Sequence, residues 1–143
     1  MRLWPLAILD QLPRQQLLGQ HRECCALRGK GWGRKHSTVD YVFKHPYWFL
    51  FNYHLEVMHE MARRGYSYCQ AWTFEIYRGA SSRFDNAIDY TCRKKYDFHT
   101  IYPEHDMKYL DECIANLAAK GVKIDRNVAL TKMTKNRGVK YAG

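Results

Sequence analysis

Three of the chain's four prolines each open a run of residues with apolar side chains at helical spacing, and glycine closes every run. That punctuation constrains the fold more than any other feature, because proline is tolerated in the first turn of a helix and glycine suits its C-terminal cap. The first run, Pro13 to Leu27, carries Leu17, Leu18, His21, Cys24, Cys25 and Leu27 on one stripe and ends at Gly29, Gly31 and Gly33. The second, Pro46 to Arg64, carries Trp48, Phe51, Leu55, Met58 and Met61 or Ala62 and stops at Gly65. The third, Pro103 to Lys120, carries Met107, Leu110, Ile114, Leu117 and Ala118 and stops at Gly121. The two later runs share an ending of a basic residue, glycine and an apolar residue, which reads as common capping chemistry and not as a repeat. Ser37 to Phe43 and Cys69 to Tyr77 read as short extended segments. Residues 79–101 are polar and mixed, with a basic run at Arg93-Lys94-Lys95. The expectation is a mainly α fold: a compact single-domain bundle of about three main helices with long irregular connections, spanning residues 1–143 and ending in a basic tail from 126 to 143.

Composition narrows the class. With 46% hydrophobic and 26% charged residues the chain is globular in type, not disordered, collagen-like or coiled-coil. No apolar run approaches the ~20 residues of a membrane span. Five cysteines, an odd number, argue against a disulfide framework and for a reducing compartment. A cytoplasmic monomer is expected, with no membrane contact.

Charge points to a partner. Lys and Arg total 23 against 14 acids, a net +9, and the tail from Arg126 to Gly143 holds five basic residues and no acid. Such an excess favours a polyanion, nucleic acid before membrane. Aromatics reach 15%, with 11 Tyr and 4 Trp; most are expected in the core, where they bury large areas, and some tyrosines beside Lys or Arg could stack on bases.

Few constellations carry chemistry. His21, Cys24 and Cys25 cluster, but there is no Cys-x-x-Cys pair, so core cysteines are expected and no metal. No phosphate-binding loop, dinucleotide fingerprint or serine-nucleophile elbow is present. Gly29, Gly31 and Gly33 read as a flexible basic turn touching phosphates. On the first helix, Gln15, Gly19, Arg22, Glu23 and Ala26 share the face opposite the apolar stripe, and the small residues leave space around Glu23. By spacing alone, Arg22-Glu23 is an ordinary surface ion pair.

The Met1 start, a first helix carrying Arg22-Glu23, the Arg34-Lys35-His36 triplet after a glycine-containing loop, an extended aromatic segment and a helix ending Arg63-Arg64-Gly65-Tyr66 follow in a familiar order. Together they resemble the pyrimidine-dimer DNA glycosylases of the phage endonuclease V type and their bacterial relatives. The likeness covers about residues 1–68 and resumes in the basic, tyrosine-bearing tail at Lys140 and Tyr141.

The resemblance implies a helical repair enzyme that acts on damaged double-stranded DNA, pyrimidine dimers first, without metal or cofactor. It implies that the N-terminal α-amine, here of Met1, attacks C1′ and forms a Schiff base, that Glu23 assists sugar opening, and that β-elimination cuts the strand. Met1, Glu23 and Arg2 are thus the expected catalytic group. Arg2, Arg22, Arg28, Lys30, Arg34, Lys35, His36 and Lys140 are the expected DNA contacts. Two positions depart from the family pattern: Arg2 follows Met1 where the best-known form exposes a threonine amine, and Gln16 stands where the family places a histidine. The alternative reading is a non-catalytic basic nucleic-acid-binding module, in which Glu23 is dispensable. A basic domain for an acidic protein partner is a third, distinguished by weak salt dependence.

Overall fold

The computed structural model describes residues 2–35, 38–79, 95–97, 101–135 and 139–141. Among these the chain is mainly helical: α1 (Arg14–Arg28), α2 (Tyr47–Arg63), α3 (Met107–Ala119) and α4 (Arg126–Lys135), with short 3-10 helices at Leu6–Gln11, Asp40–Lys44 and Gln70–Thr73. Strands β1 (Lys95–Asp97) and β2 (Val139–Tyr141) form one antiparallel ladder in which Lys95 faces Tyr141 and Tyr96 faces Lys140.

Prolines 13 and 46 occupy the N-cap positions of α1 and α2, as their fixed φ and missing N–H favour. Pro103 does not open α3. That helix starts at Met107, where the Asp106 carboxylate accepts the Tyr109 N–H at 2.9 Å. The basic-Gly-apolar endings are one motif used twice. After α2, Gly65 N–H donates to Ala62 O and Tyr66 N–H to Met61 O; after α3, Gly121 N–H donates to Ala118 O and Val122 N–H to Leu117 O. Both glycines have φ +81°, the left-handed cap that non-glycine residues resist.

The 17-residue α2 is the central element, with Tyr47, Trp48, Leu50, Phe51, Tyr53, Val57, Met58 and Met61 all buried, and α1 packs along it. Leu3, Ile8, Leu12, Leu17, Leu27, Tyr102, Leu110 and Leu117 complete the core. The aromatic excess is spent largely here: Trp48, Tyr53 and Tyr102 are among the largest fully buried side chains. The α3 stripe is rotated from the expected one. Cys113 is buried with Leu110 and Leu117, whereas Met107 and Ala118 are exposed.

Three sequence expectations fail for identifiable reasons. Ser37 to Phe43 is not extended, since Asp40–Lys44 winds into a 3-10 helix; Ser37 itself lies outside the described residues. Cys69 to Tyr77 forms a 3-10 turn, its carbonyls drawn inward by Arg28 instead of pairing with a strand. The segment from Arg126, expected as a tail, begins with helix α4. It buries Ala129 fully and packs Leu130 and Met133 partly against the core. Polar contacts add to this: Asp125 Oδ1 caps the Asn127 and Val128 N–H groups, Gln11 exchanges two hydrogen bonds with the Asp125 backbone, and Lys132 pairs with Asp10. A helix docked this way leaves little periodicity to read.

Candidate active site

The segment that opens with Arg2 is pinned. Gln20, buried on α1, acts as an adaptor: its Nε2 donates to Arg2 O at 3.2 Å and its Oε1 accepts the Trp4 N–H at 2.6 Å. The Tyr53 hydroxyl divides its proton between Trp4 O and Gln20 Oε1, and the Tyr109 hydroxyl donates to Leu3 O at 2.8 Å. Residues 2–4 are therefore fixed from three helices. Each bond satisfies a backbone group that burial would otherwise strand.

Gln20 precedes Glu23 by three residues, so the pinned segment lies along the helix face that carries Glu23. There a pocket of about 310 Å³ opens, lined by Arg2, Trp4, Gln16, Gly19, Glu23 and Asn116, with Gln20, Thr38 and Lys120. Glu23 is half-buried and its Oε1 is shielded from solvent. Gly19 supplies the room: a Cβ placed there would meet only Arg22 Nη2, at 3.8 Å. Ala26, the other small residue, lies exposed and does not line the pocket. The Arg2 guanidinium carbon and Lys120 Nζ stand 5.9 and 5.7 Å from the Trp4 ring centroid, so two cations share one buried aromatic at the pocket wall. One carboxylate among cations and amides can stabilise a developing positive charge, move a proton and hold phosphates at its rim.

The expected DNA contacts divide. Arg2 lines the pocket, and Arg22, Lys30, Arg34 and Lys35 are exposed on α1 or the turn after it. Arg28 must be removed from the set. It is fully buried, and its five N–H donors are all used inside: Nε to Tyr47 Oη, Nη1 to His54 Nδ1 and Trp72 O, Nη2 to Phe74 O and Tyr77 O. Met1 and His36 lie outside the described residues, and Lys140 stands in β2 opposite Tyr96.

The turn of residues 29–35 is also less free than expected. Gly29 N–H donates to Cys25 O, Gly31 N–H to Ala26 O and Arg34 N–H to Gly31 O, while Trp32 packs edge-on to Phe43 and Tyr47. Any Cβ at Gly31 would fall 2.7 Å from Ala26 O, so this position demands glycine for packing. Sequence reasoning missed Gln20, Thr38, Asn116 and Lys120 altogether. Asn116 on α3 and Lys120 at its C-cap, four residues apart, carried an i,i+4 signal, but nothing local aimed them at α1.

A cluster of His21, Cys25 and His54 places its ligand-type atoms within 4.8 Å of one another. Arginine can only donate, so the Arg28–His54 bond of 2.8 Å fixes the proton of His54 on Nε2, which donates to His21 Nδ1 at 2.8 Å. His21 then turns its Nε2 proton toward Cys25 Sγ, 3.7 Å away. A metal-bound imidazole needs an acceptor behind its second nitrogen; His54 has a buried cation there, so the set does not suit a metal ion. Burial, then Arg28 and His21, hold the His54 imidazole well below its usual range; burial pushes the Cys25 thiol up to about 12. Histidine and thiol both stay neutral at physiological pH, and the cluster is a directed hydrogen-bond relay.

The described residues thus form a basic, mainly helical protein with the half-buried Glu23 in a pocket beside residues 2–4. The sequence model of the pyrimidine dimer DNA glycosylase family matches residues 1–74, just over half of the chain, and the chain belongs to that family. It is a DNA repair glycosylase with DNA as its substrate. No curated protein and no solved structure matches it. Among the described residues no helix is long and apolar enough to cross a membrane.

Proposed function

We propose that the protein excises one base of a pyrimidine dimer through its own N-terminal amine, with Glu23 as the assisting carboxylate, and then cuts the strand as an abasic-site lyase. The amine's lone pair bonds to C1′ as the glycosidic bond breaks and its electron pair leaves with the base. Opening of the C1′–O4′ bond leaves an imine; loss of a C2′ proton then expels the 3′ phosphate. An α-amine suits this role because its ordinary pKa of ~7.7–8.0 leaves a useful free-base fraction near neutral pH. Glu23 stabilises the cationic sugar and shuttles the protons, and Arg2 and Lys120 hold the flanking phosphates. None of these steps calls for a metal or cofactor.

The single observation that carries the reading is the adaptor role of Gln20. It ties Arg2 and Trp4 to α1 one turn before Glu23, which supports the reading that the residue before Arg2 delivers its amine there. Gln16 lines the same pocket at the position where the family places a histidine; an amide there can orient the sugar but cannot take a proton.

The test is a duplex carrying a single thymine dimer, beside the same duplex undamaged and one with an abasic site. The expected result is strand cleavage at the dimer and the abasic site, none in the undamaged duplex, and an affinity that falls at least ten-fold between 50 and 200 mM salt, on the order of magnitude for several phosphate contacts. Salt-sensitive binding without cleavage of either substrate would instead support the non-catalytic binding module.

A further inference from the structure

The segment after α2 presents two large apolar side chains to solvent: Phe74 is 64% exposed and Ile76 49%. Such residues on a floppy loop would collapse inward or be unremarkable. Here the loop is held stiffly. Arg28 gathers the carbonyls of Trp72, Phe74 and Tyr77, the Thr73 hydroxyl donates to Gln70 O, and Trp72 packs edge-on against Tyr77 at 4.8 Å. The far end of the loop is bolted to the basic turn, since Arg78 Nη2 donates to Gly29 O and its Nε to Arg28 O. That turn carries Lys30, Arg34 and Lys35, all exposed.

We infer that Phe74 and Ile76 form a wedge that enters the DNA stack and supports the kink the excision reaction needs, while Lys30, Arg34 and Lys35 hold the adjoining phosphates. This rests on the glycosylase reading above and adds the part that deforms the duplex. Apolar side chains driven between base steps unstack them at a cost of a few kcal/mol, and the bent duplex then meets more protein surface. A wedge fixed in advance avoids the entropy of ordering a loop at the moment of binding. The charge beside the apolar pair selects DNA over a protein partner: an exposed cationic turn at the wedge's edge complements phosphate.

The test uses the full-length protein and an end-labelled fluorescent duplex with a central tetrahydrofuran abasic analogue, read by energy transfer between the ends at saturating protein. Phe74→Ala/Ile76→Ala is compared with Lys30→Ala. Wild type is expected to bring the ends closer. The double variant should lose most of that change and at least ten-fold in dimer excision, with its salt dependence unaltered. Lys30→Ala should keep the kink and lower the salt slope by about one unit. Both apolar residues are exposed, so unchanged thermal midpoints will exclude misfolding. A double variant that bends DNA like wild type overturns the wedge and leaves the glycosylase reading intact. If the free wild-type protein sediments as a dimer and the double variant as a monomer, the patch joins two copies and the wedge is again overturned. Wild type that neither bends this duplex nor excises the base of a thymine-dimer duplex removes the dimer-excision reading itself.

Discussion

Glu23→Gln is expected to lower base excision by about a hundred- to ten-thousand-fold, the usual range for removing a positioned acid–base group. DNA affinity should stay equal or rise slightly. The substitution keeps the shape and one hydrogen-bonding oxygen, so the pocket beside Gly19 and Gln20 stays packed as it is. What disappears is the charge. A developing cationic sugar then loses its stabilising partner, while the phosphates lose a repulsive neighbour. Single-turnover excision of a thymine-dimer duplex, with affinity measured by fluorescence anisotropy, separates the two effects. Near-normal excision would return Glu23 to a surface ion pair with Arg22.

The largest effect on stability is expected at Arg28. Arg28→Met retains a long apolar stem but strips five internal donors from the core. The carbonyls of Trp72, Phe74 and Tyr77 and the Nδ1 of His54 are then left to find other partners. A buried acceptor left without its donor costs about 1–3 kcal/mol, so several together are expected to cost about 3–5 kcal/mol, a large share of the ~5–15 kcal/mol that holds such a domain together. Arg28→Lys should recover little, because an ammonium offers three donors from a point where the guanidinium spreads five over a plane. Chemical denaturation gives the number, and limited proteolysis should cut first within residues 70–79. A loss under 1 kcal/mol would mean the loop is held by its aromatic packing alone, chiefly Trp72 on His54 and Tyr77.

Residues with local signatures were readable and residues defined by distant partners were not. Helices α1 and α2 lie within about a residue of the Pro-to-Gly runs because capping is decided by immediate neighbours. The space beside Glu23 was visible from Gly19, one turn away. Arg28 was read as a phosphate contact because its nearest neighbours, Gly29 and Lys30, describe a basic turn; the carbonyls that claim it come 44 to 49 residues later. Asn116 and Lys120 reach the pocket only through the packing of α3, which no spacing within α1 announces. Helix α4 was hidden for another reason: one small buried residue, two half-buried ones and several polar contacts dock it, and they leave no clear stripe.

The central claim, that the chain's own amine is the nucleophile, is tested most directly by borohydride trapping on abasic duplex DNA. Protein with a free N-terminus is compared with protein selectively acetylated there. The account predicts a covalent protein–DNA adduct with the free terminus and none with the blocked one, while both bind the DNA equally. Mass spectrometry of the trapped peptide should place the link on the terminal residue. An adduct of undiminished yield after acetylation would contradict the account and move the nucleophile to an internal amine, with Lys30, Lys35 and the pocket's Lys120 the first to examine.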